Sequence, residues 1–504
     1  MTERTPFVTE PPKQVPVVRD VDVVVAGAGC SGVFAALASA AAGARTILVE
    51  RTGFLGGNAG PGMLFGCTDP MSEGASHLPG GNQDLVRIVE QRMNEAGGGR
   101  AWNRCFSASV FSETVARMMD EYGVELLMPA YAADPIVADG TVAGLFVETK
   151  SGRIALRART VIDATAEADV AMRAGAPMIR HVAVDPAHKP AILDRYETDM
   201  NPTWSDRNWN EVGLMYVVSG IDWDAYRSFL GTAEPVRFRG FLPDAGGVPY
   251  PRVIPKEFKF PGKLFPEVRG AWERGEFRHA RELRDGALLY WQFRMIRLGA
   301  DTAEDAIAIH GDIDVDDWKD VSVAEHEMRG LAADAVRFMR RHAPGFRDAW
   351  VLATTPFIGA RGGPCIEGEA VIQPEDINEG RRQPDVVLRA IWERQRLEER
   401  PGASAQALSG YDLPYRMMVP KGLDGILVVG RGSSYIRRGH DPATRGRIVQ
   451  FHLGEVAGVA AALAAQTRTR ARSLDVRALQ RKLLERGFFL GEPDRLRQLG
   501  LDGS

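Results

Sequence analysis

The chain has 504 residues, 62 lysines and arginines against 66 aspartates and glutamates, a net charge of −4 and 45% apolar residues. That length accommodates two or three domains around large cores. A slightly acidic balance removes the electrostatic footprint that nucleic acid or an anionic lipid surface requires, and no apolar run reads as a membrane span.

Residues 1–17 carry four prolines before Val17 and no apolar stretch of signal-peptide type, so they read as an extended arm. Cys30, Cys67, Cys105 and Cys365 are scattered with no C-x-x-C pair. This argues against iron–sulfur or zinc centres and a disulfide framework, and fits a reducing cytoplasm.

Val21, Val23, Val24 and Val25 supply β-branched apolar side chains suited to a strand buried on both faces. Gly27, Ala28, Gly29, Cys30, Ser31 and Gly32 then supply G-x-G-x-x-G. Gly27 allows the sharp turn, Gly29 lets backbone approach a pyrophosphate, and Gly32 lets the next helix lie close to the strand. That helix is rich in alanine and ends at Gly43; the strand Thr46 to Val49 then delivers Glu50, placed to accept hydrogen bonds from an adenosine ribose. A glycine turn binding nothing is the alternative, and the flanking strands, helix and acid in register argue against it.

A second glycine track follows at Gly53, Gly56, Gly57, Gly60 and Gly62, where backbone can press against something flat or charged. ERTGFLGGNAGPG resembles the ER-x-G-x-LGG segment of FAD-dependent oxidoreductases of the glutathione-reductase-like group. The resemblance implies FAD as cofactor, Glu50 and Arg51 at its adenosine end, and Gly56, Gly57, Asn58 and Ala59 along it toward the isoalloxazine.

Residues 80–97 and 107–121 carry apolar stripes at helical spacing, the second with Met118 and Met119 as core. From Gly123 the pattern switches to period two, with turns at Asp139-Gly140 and Ser151-Gly152, which predicts an antiparallel meander set into the parallel sheet. By resemblance Ala132 lies beside the adenine. The strand ending Val161-Ile162-Asp163 runs into Ala164, Thr165, Ala166, Glu167, Ala168 and Asp169, similar to the family's ATGDAD with Ala166 for glycine and Glu167 for aspartate. A helix capped by Thr165 or Asp169 is the structural alternative.

Residues 177–414 mix prolines, tryptophans, helices and strands without another glycine turn and read as an inserted α+β substrate domain. Within it, Val321 to Arg341 predicts a long helix stopped by Pro344-Gly345. Where the family often reads R-E-S-R-R, this chain has Arg361-Gly362-Gly363-Pro364-Cys365. Arg361 is a candidate for holding an anionic substrate or a flavin carbonyl, or else a buried ion-pair partner. His310 closes an alternating strand and reads as a structural histidine before a pocket residue.

The strand Ile426 to Val429, the turn Gly430-Arg431-Gly432-Ser433 and the helix Gln450 to Ala465 resemble the family's AGR…ALGQAAG motif, which closes the FAD site from the far side. A helix N-terminus stabilises negative charge on a reduced flavin, which makes Gly446, Arg447 and Ile448 candidate donors. The preceding loop holds His440 and Arg445; a histidine there suits acceptance of a substrate proton, and a solvated turn at His440-Asp441 is the alternative.

The resulting expectation is an α/β fold with a split, doubly wound FAD domain (18–176 and 415–467), the inserted domain (177–414) and a helical tail (468–504). The tail is expected to pack back or to join a second copy of the chain. The expected reaction is hydride transfer from a C–H bond of a small organic substrate to FAD. A monooxygenase using NAD(P)H and O₂, or a flavin electron carrier without its own substrate, are the alternatives.

Overall fold

The computed structural model describes residues 8–63, 65–67, 84–96, 99–100, 105–180, 211–230, 264, 267–268, 270–271, 274–279, 288–291, 296–297, 299–310, 313–360, 362–390, 410–435 and 446–502. Its first half contributes β1 (Val17–Ala26), α1 (Cys30–Ala41), β2 (Thr46–Val49), α2 (Leu85–Glu95) and α3 (Ala108–Tyr122). These are followed by β3 (Glu125–Leu127), β4 (Tyr131–Ala138), β5 (Thr141–Thr149), β6 (Gly152–Asp163) and α4 (Asp169–Arg173).

These strands form one sheet in the order β3-β2-β1-β6-β5-β4. β3, β2, β1 and β6 run parallel, while β6, β5 and β4 make the expected antiparallel meander, turning at Asp139-Gly140 as anticipated and at Lys150-Ser151, one residue before the anticipated Ser151-Gly152. Val23, Val24 and Val25 are wholly buried, as a strand covered on both faces requires. β1 starts at Val17, four residues earlier than its apolar run, because the backbone from Pro16 onward pairs with β6.

A second, antiparallel sheet follows. It contains β7 (Glu211–Ser219), β8 (Leu288–Trp291), β9 (Ala303–His310) and, after α5 (Trp318–His342), β10 (Trp350–Thr354), ordered β8-β9-β7-β10. One face of this sheet (Val212, Leu214, Tyr216, Val218, Ala303, Ile307) packs on Met328, Leu331, Ala332 and Ala335 of α5. α5 begins three residues before the expected Val321, because Asp317 caps it by accepting from the Lys319 N–H at 2.8 Å.

β11 (Val386–Ala390) and β12 (Tyr411–Pro414) then pair antiparallel. Their residues Val386, Leu388, Tyr411 and Leu413 join the core of α1 rather than that of the second sheet. The first core therefore recovers the chain before residue 415, the boundary expected from sequence. β13 (Ile426–Val428) adds to β6 in parallel, returning the chain to the first sheet.

α6 (Arg447–Thr467) starts three residues before the expected Gln450. It lies along α1 in parallel: a Cβ on Gly454 would fall 2.1 Å from the Ser31 carbonyl oxygen, and one on Gly458 2.3 Å from that of Ala35. Only glycine permits that approach. α6 is long and apolar enough to cross a bilayer, contrary to the reading of composition, yet 83% of its apolar window is buried inside the molecule.

The tail packs back. Leu479 and Leu483 of α7 (Val476–Glu485), with Leu490 beyond it, join the first core, and Arg486 pairs with the fully buried Glu455 of α6 at 3.0 Å.

Candidate functional site

The C-terminal ends of β1, β6 and β13 lie side by side, the place where open α/β sheets bind ligands. At the first, Gly27 has φ 93°, and a Cβ there would meet the Ala164 carbonyl oxygen at 2.7 Å. A Cβ on Gly32 would fall 1.8 Å from the Gly27 carbonyl oxygen, so helix and turn touch through backbone. A Cβ on Gly29 would meet nothing within 4 Å, so this middle glycine faces open space.

The acid after β2 closes on the same turn. Glu50 accepts from the Ala28 N–H at 2.7 Å with one carboxylate oxygen, and from the N–H and hydroxyl of Thr52, both at 2.7 Å, with the other. The Arg51 guanidinium stands 5.8 Å from the centroid of Phe357. The second glycine track is bound to the first: the Gly56 N–H donates to the Ala28 carbonyl at 2.8 Å, and a Cβ on Gly57 would fall 2.9 Å from the Gly29 Cα.

Asn58 and the buried Ala59 complete a short 3₁₀ turn, Gly57–Ala59. Arg447, the first residue of α6, donates to the Asn58 carbonyl at 3.3 Å. A Cβ on Gly359, which pairs with Gly213 of β7, would lie 3.8 Å from Asn58 Nδ2. The second sheet thus meets the glycine track through the face opposite α5.

At the end of β6, the buried Asp163 carboxylate accepts from the Thr165 N–H and hydroxyl and from the Ala171 N–H, and the Thr165 hydroxyl accepts from the Asp169 N–H at 2.8 Å. Thr165 therefore serves α4 as the structural alternative anticipated, although the N-cap position itself is Ala168. Ala166, at the family's glycine position, has φ 80°. Left-handed backbone costs an alanine about 1–2 kcal/mol, against about 0.5–1 kcal/mol for glycine's greater freedom when unfolded. Ala166→Gly is expected to stabilise the chain by about 0.5–1 kcal/mol in denaturant unfolding; a loss of stability would contradict the conformation described.

Burial pushes Asp169 up to about 7, reinforced by the neighbouring Glu167 and Asp163 carboxylates. Burial also raises the Cys30 thiol, so this residue of the turn is a packed, unreactive cysteine.

The helix caps divide cleanly. Of the longer helices, α2, α3, α5 and α7 begin at Asp84, Ser107, Asp317 and Asp475, each accepting from N–H groups of the first turn. α1 and α6 begin instead at Gly29 and Gly446, with no side-chain cap and no acid in the first turn. A glycine at the cap position puts no side chain over these first turns, which suits the approach of an anionic ligand. The buried Ser31 hydroxyl, in the first turn of α1, has no hydrogen-bond partner among the described residues. An elongated anion with phosphates at one end fits this donor set.

Ala132 lies in β4 opposite Val147, its carbonyl accepting from Arg173 at 3.2 Å. Gly430 has φ 76°, and a Cβ there would fall 2.9 Å from the Ser31 hydroxyl oxygen; Arg431 ion-pairs with Glu167. Ala164 backs Gly27 and Gly32, while Gly446 and Ile448 open α6. Arg361, His440 and Arg445 lie outside the described residues. The backbone of His310 is registered between Glu211 and Leu288. Sequence reasoning missed the Glu167–Arg431 pair; its members are 264 positions apart, and no local signal links them.

Residues 22–483 match the family described as FAD dependent oxidoreductase, and the chain belongs to it. It is an FAD-dependent enzyme with a Rossmann-like α/β fold. No curated protein matches. Among solved structures, a geranylgeranyl bacteriochlorophyll reductase-like protein from Thermoplasma acidophilum is similar at 14% identity and a TM-score of 0.41, over 93% of this chain and 84% of that one. The flavin-dependent brominase Bmp2 is similar at 13% identity and 0.40, over 92% and 83%. The p-nitrophenol 4-monooxygenase PnpA from Pseudomonas putida is similar at 12% and 0.37, over 96% and 84%. Likeness at that level says nothing about reaction or substrate.

Proposed function

We propose that this enzyme oxidises a small organic substrate at a C–H bond. FAD supplies the hydride acceptor, its N5. The cofactor would be held by a split domain, with the segment around the second sheet presenting the substrate. The observation that carries this reading is the pair of parallel helices that both begin at a glycine, which contributes no side-chain cap.

The register fixes their offset. Gly454 stands against Ser31, so α6 begins six residues before α1 on the common axis, extending about 9 Å beyond its N-terminus at 1.5 Å per residue. With pyrophosphate against Gly29, Cys30, Ser31 and Gly32, the N-terminus of α6 at Gly446, Arg447 and Ile448 stands where the ring's carbonyl edge would lie. Its half positive charge favours the reduced ring. Gly57, Asn58 and Ala59 then flank the ring, Glu50 the ribose and Ala132 the adenine. His440 is our candidate proton acceptor, with Arg361 and Arg445 orienting the substrate. A cytoplasmic location and a substrate without nucleic-acid or membrane character complete the reading.

Ser31→Ala tests the pyrophosphate end. Losing a hydrogen bond to a charged group costs about 1.5–3 kcal/mol, so FAD is expected to bind at least tenfold more weakly. The apoprotein should unfold at its ordinary denaturant midpoint, since the hydroxyl has no partner to lose among the described residues. Equal FAD affinity would contradict the placement.

The reaction class is tested by anaerobic mixing with candidate alcohols and amines. Bleaching of the flavin by one of them, with no second protein present, is the expected result. NAD(P)H oxidation that requires both substrate and O₂ would replace this reading with a monooxygenase, and bleaching only through a partner protein would replace it with an electron carrier.

A further inference from the structure

We propose that Glu167 is a positioning residue that lowers the reduction potential of the bound flavin by holding the charge of Arg431. The inference rests on FAD lying in the crevice as proposed above. Glu167 and Arg431 form an ion pair with side chains only 18% and 12% exposed, and Arg431 Nη1 also donates to the Gly362 carbonyl at 2.7 Å. The pair joins the ends of β6 and β13 to the segment that leads from the second sheet back toward the first.

The backbone on both sides of Glu167 is set up for this. Ala166 and Ala168 have φ 80° and 59°, and neither is a glycine. Two left-handed alanines around one acid persist only where surrounding contacts hold them. Here the Asp163 carboxylate pins Thr165 and Ala171 on either side of the loop. Arg431 is equally constrained: a Cβ on Gly430 would fall 2.9 Å from the Ser31 hydroxyl, and one on Gly432 2.9 Å from the Ala168 Cβ. The guanidinium is thus carried on backbone that abuts the first turn of α1, and its carboxylate partner approaches from the next strand.

The sign of the effect follows from charge. A flavin gains negative charge on two-electron reduction, so a nearby arginine favours the reduced form and a carboxylate opposes it. In a partly buried crevice neither is fully screened. With Glu167 in place, the cation is offset; without it, reduction is favoured.

Glu167→Gln keeps the shape and removes the charge. Midpoint potentials, measured by anaerobic titration against a reference dye, are expected to rise in this variant by about a tenfold change in the ratio of reduced to oxidised FAD affinity, 29.6 mV for two electrons. Glu167→Asp should stay near wild type, and Arg431→Gln should shift the potential downward. FAD stoichiometry is read in the same samples. FAD bound normally with an unchanged potential in Glu167→Gln, or both variants shifting in the same direction, would overturn the inference alone. If Glu167→Gln does not fold, the direction of the Arg431→Gln shift decides. Wild-type protein unable to bind FAD would overturn the reading beneath it.

Discussion

Gly32→Ala is expected to abolish FAD retention and to destabilise the chain by about 3 kcal/mol, the upper end of ordinary overpacking. The new methyl would sit 1.8 Å from the Gly27 carbonyl oxygen and 3.2 Å from the Ala164 Cβ. Neither obstacle is the end of a flexible side chain, so α1 must move off β1. Moving α1 also displaces α6, because Gly454 and Gly458 meet α1 through its backbone. Gly29→Ala is the control: its methyl meets no protein atom within 4 Å, so stability should hold while FAD affinity falls. Thermal melts and FAD titration of both variants check this. Wild-type behaviour of Gly32→Ala would contradict the helix–turn contact.

Arg486→Ala is expected to cost about 3–5 kcal/mol near neutral pH, the penalty of leaving a buried charge without its partner. Glu455 is fully buried on α6; one oxygen accepts from the Leu85 N–H at 3.1 Å and the other from Arg486 Nε at 3.0 Å. Burial raises its carboxyl above the usual range, offset in part by Arg486 and His452. A raised carboxyl means that the folded chain keeps a proton which the unfolded chain has already released. Stability from that source is present below the unfolded value and is lost as pH rises through the folded one. Removing Arg486 raises the folded value further. The loss in Arg486→Ala should therefore be larger at pH ~8 than at pH ~5, and Glu455→Gln in the same background should relieve part of it. A loss independent of pH would show that Arg486 acts through packing alone.

Much of the first sheet was legible because its signals are local. Valines, glycines and an acid at fixed offsets specify β1, the turn, α1, β2 and Glu50, and the dipeptides Asp139-Gly140 and Ser151-Gly152 mark the meander turns, the second to within one residue. Helix starts were misjudged by three residues at α5 and α6. Asp317 and Gly446 precede Trp318 and Arg447, and neither of those opening residues belongs to an apolar stripe. The early return of β11 and β12 to the first core was not legible, since two buried strands read alike whichever core receives them. The Glu167–Arg431 pair and the contact of Gly359 with Asn58 depend on the packing of distant segments. The departure at Ala166 was visible as a missing glycine; its consequence, a left-handed alanine, needed the backbone.

The most direct measurement is a crystal structure of the chain grown with FAD. The pyrophosphate is expected against Gly29 and the Ser31 hydroxyl, with the ring's carbonyl edge at the N–H groups that open α6, near Arg447 and Ile448. FAD bound with its ring away from the start of α6, or with its phosphates away from the first turn of α1, would contradict the claim that these two helices, each begun at a glycine, together define the site.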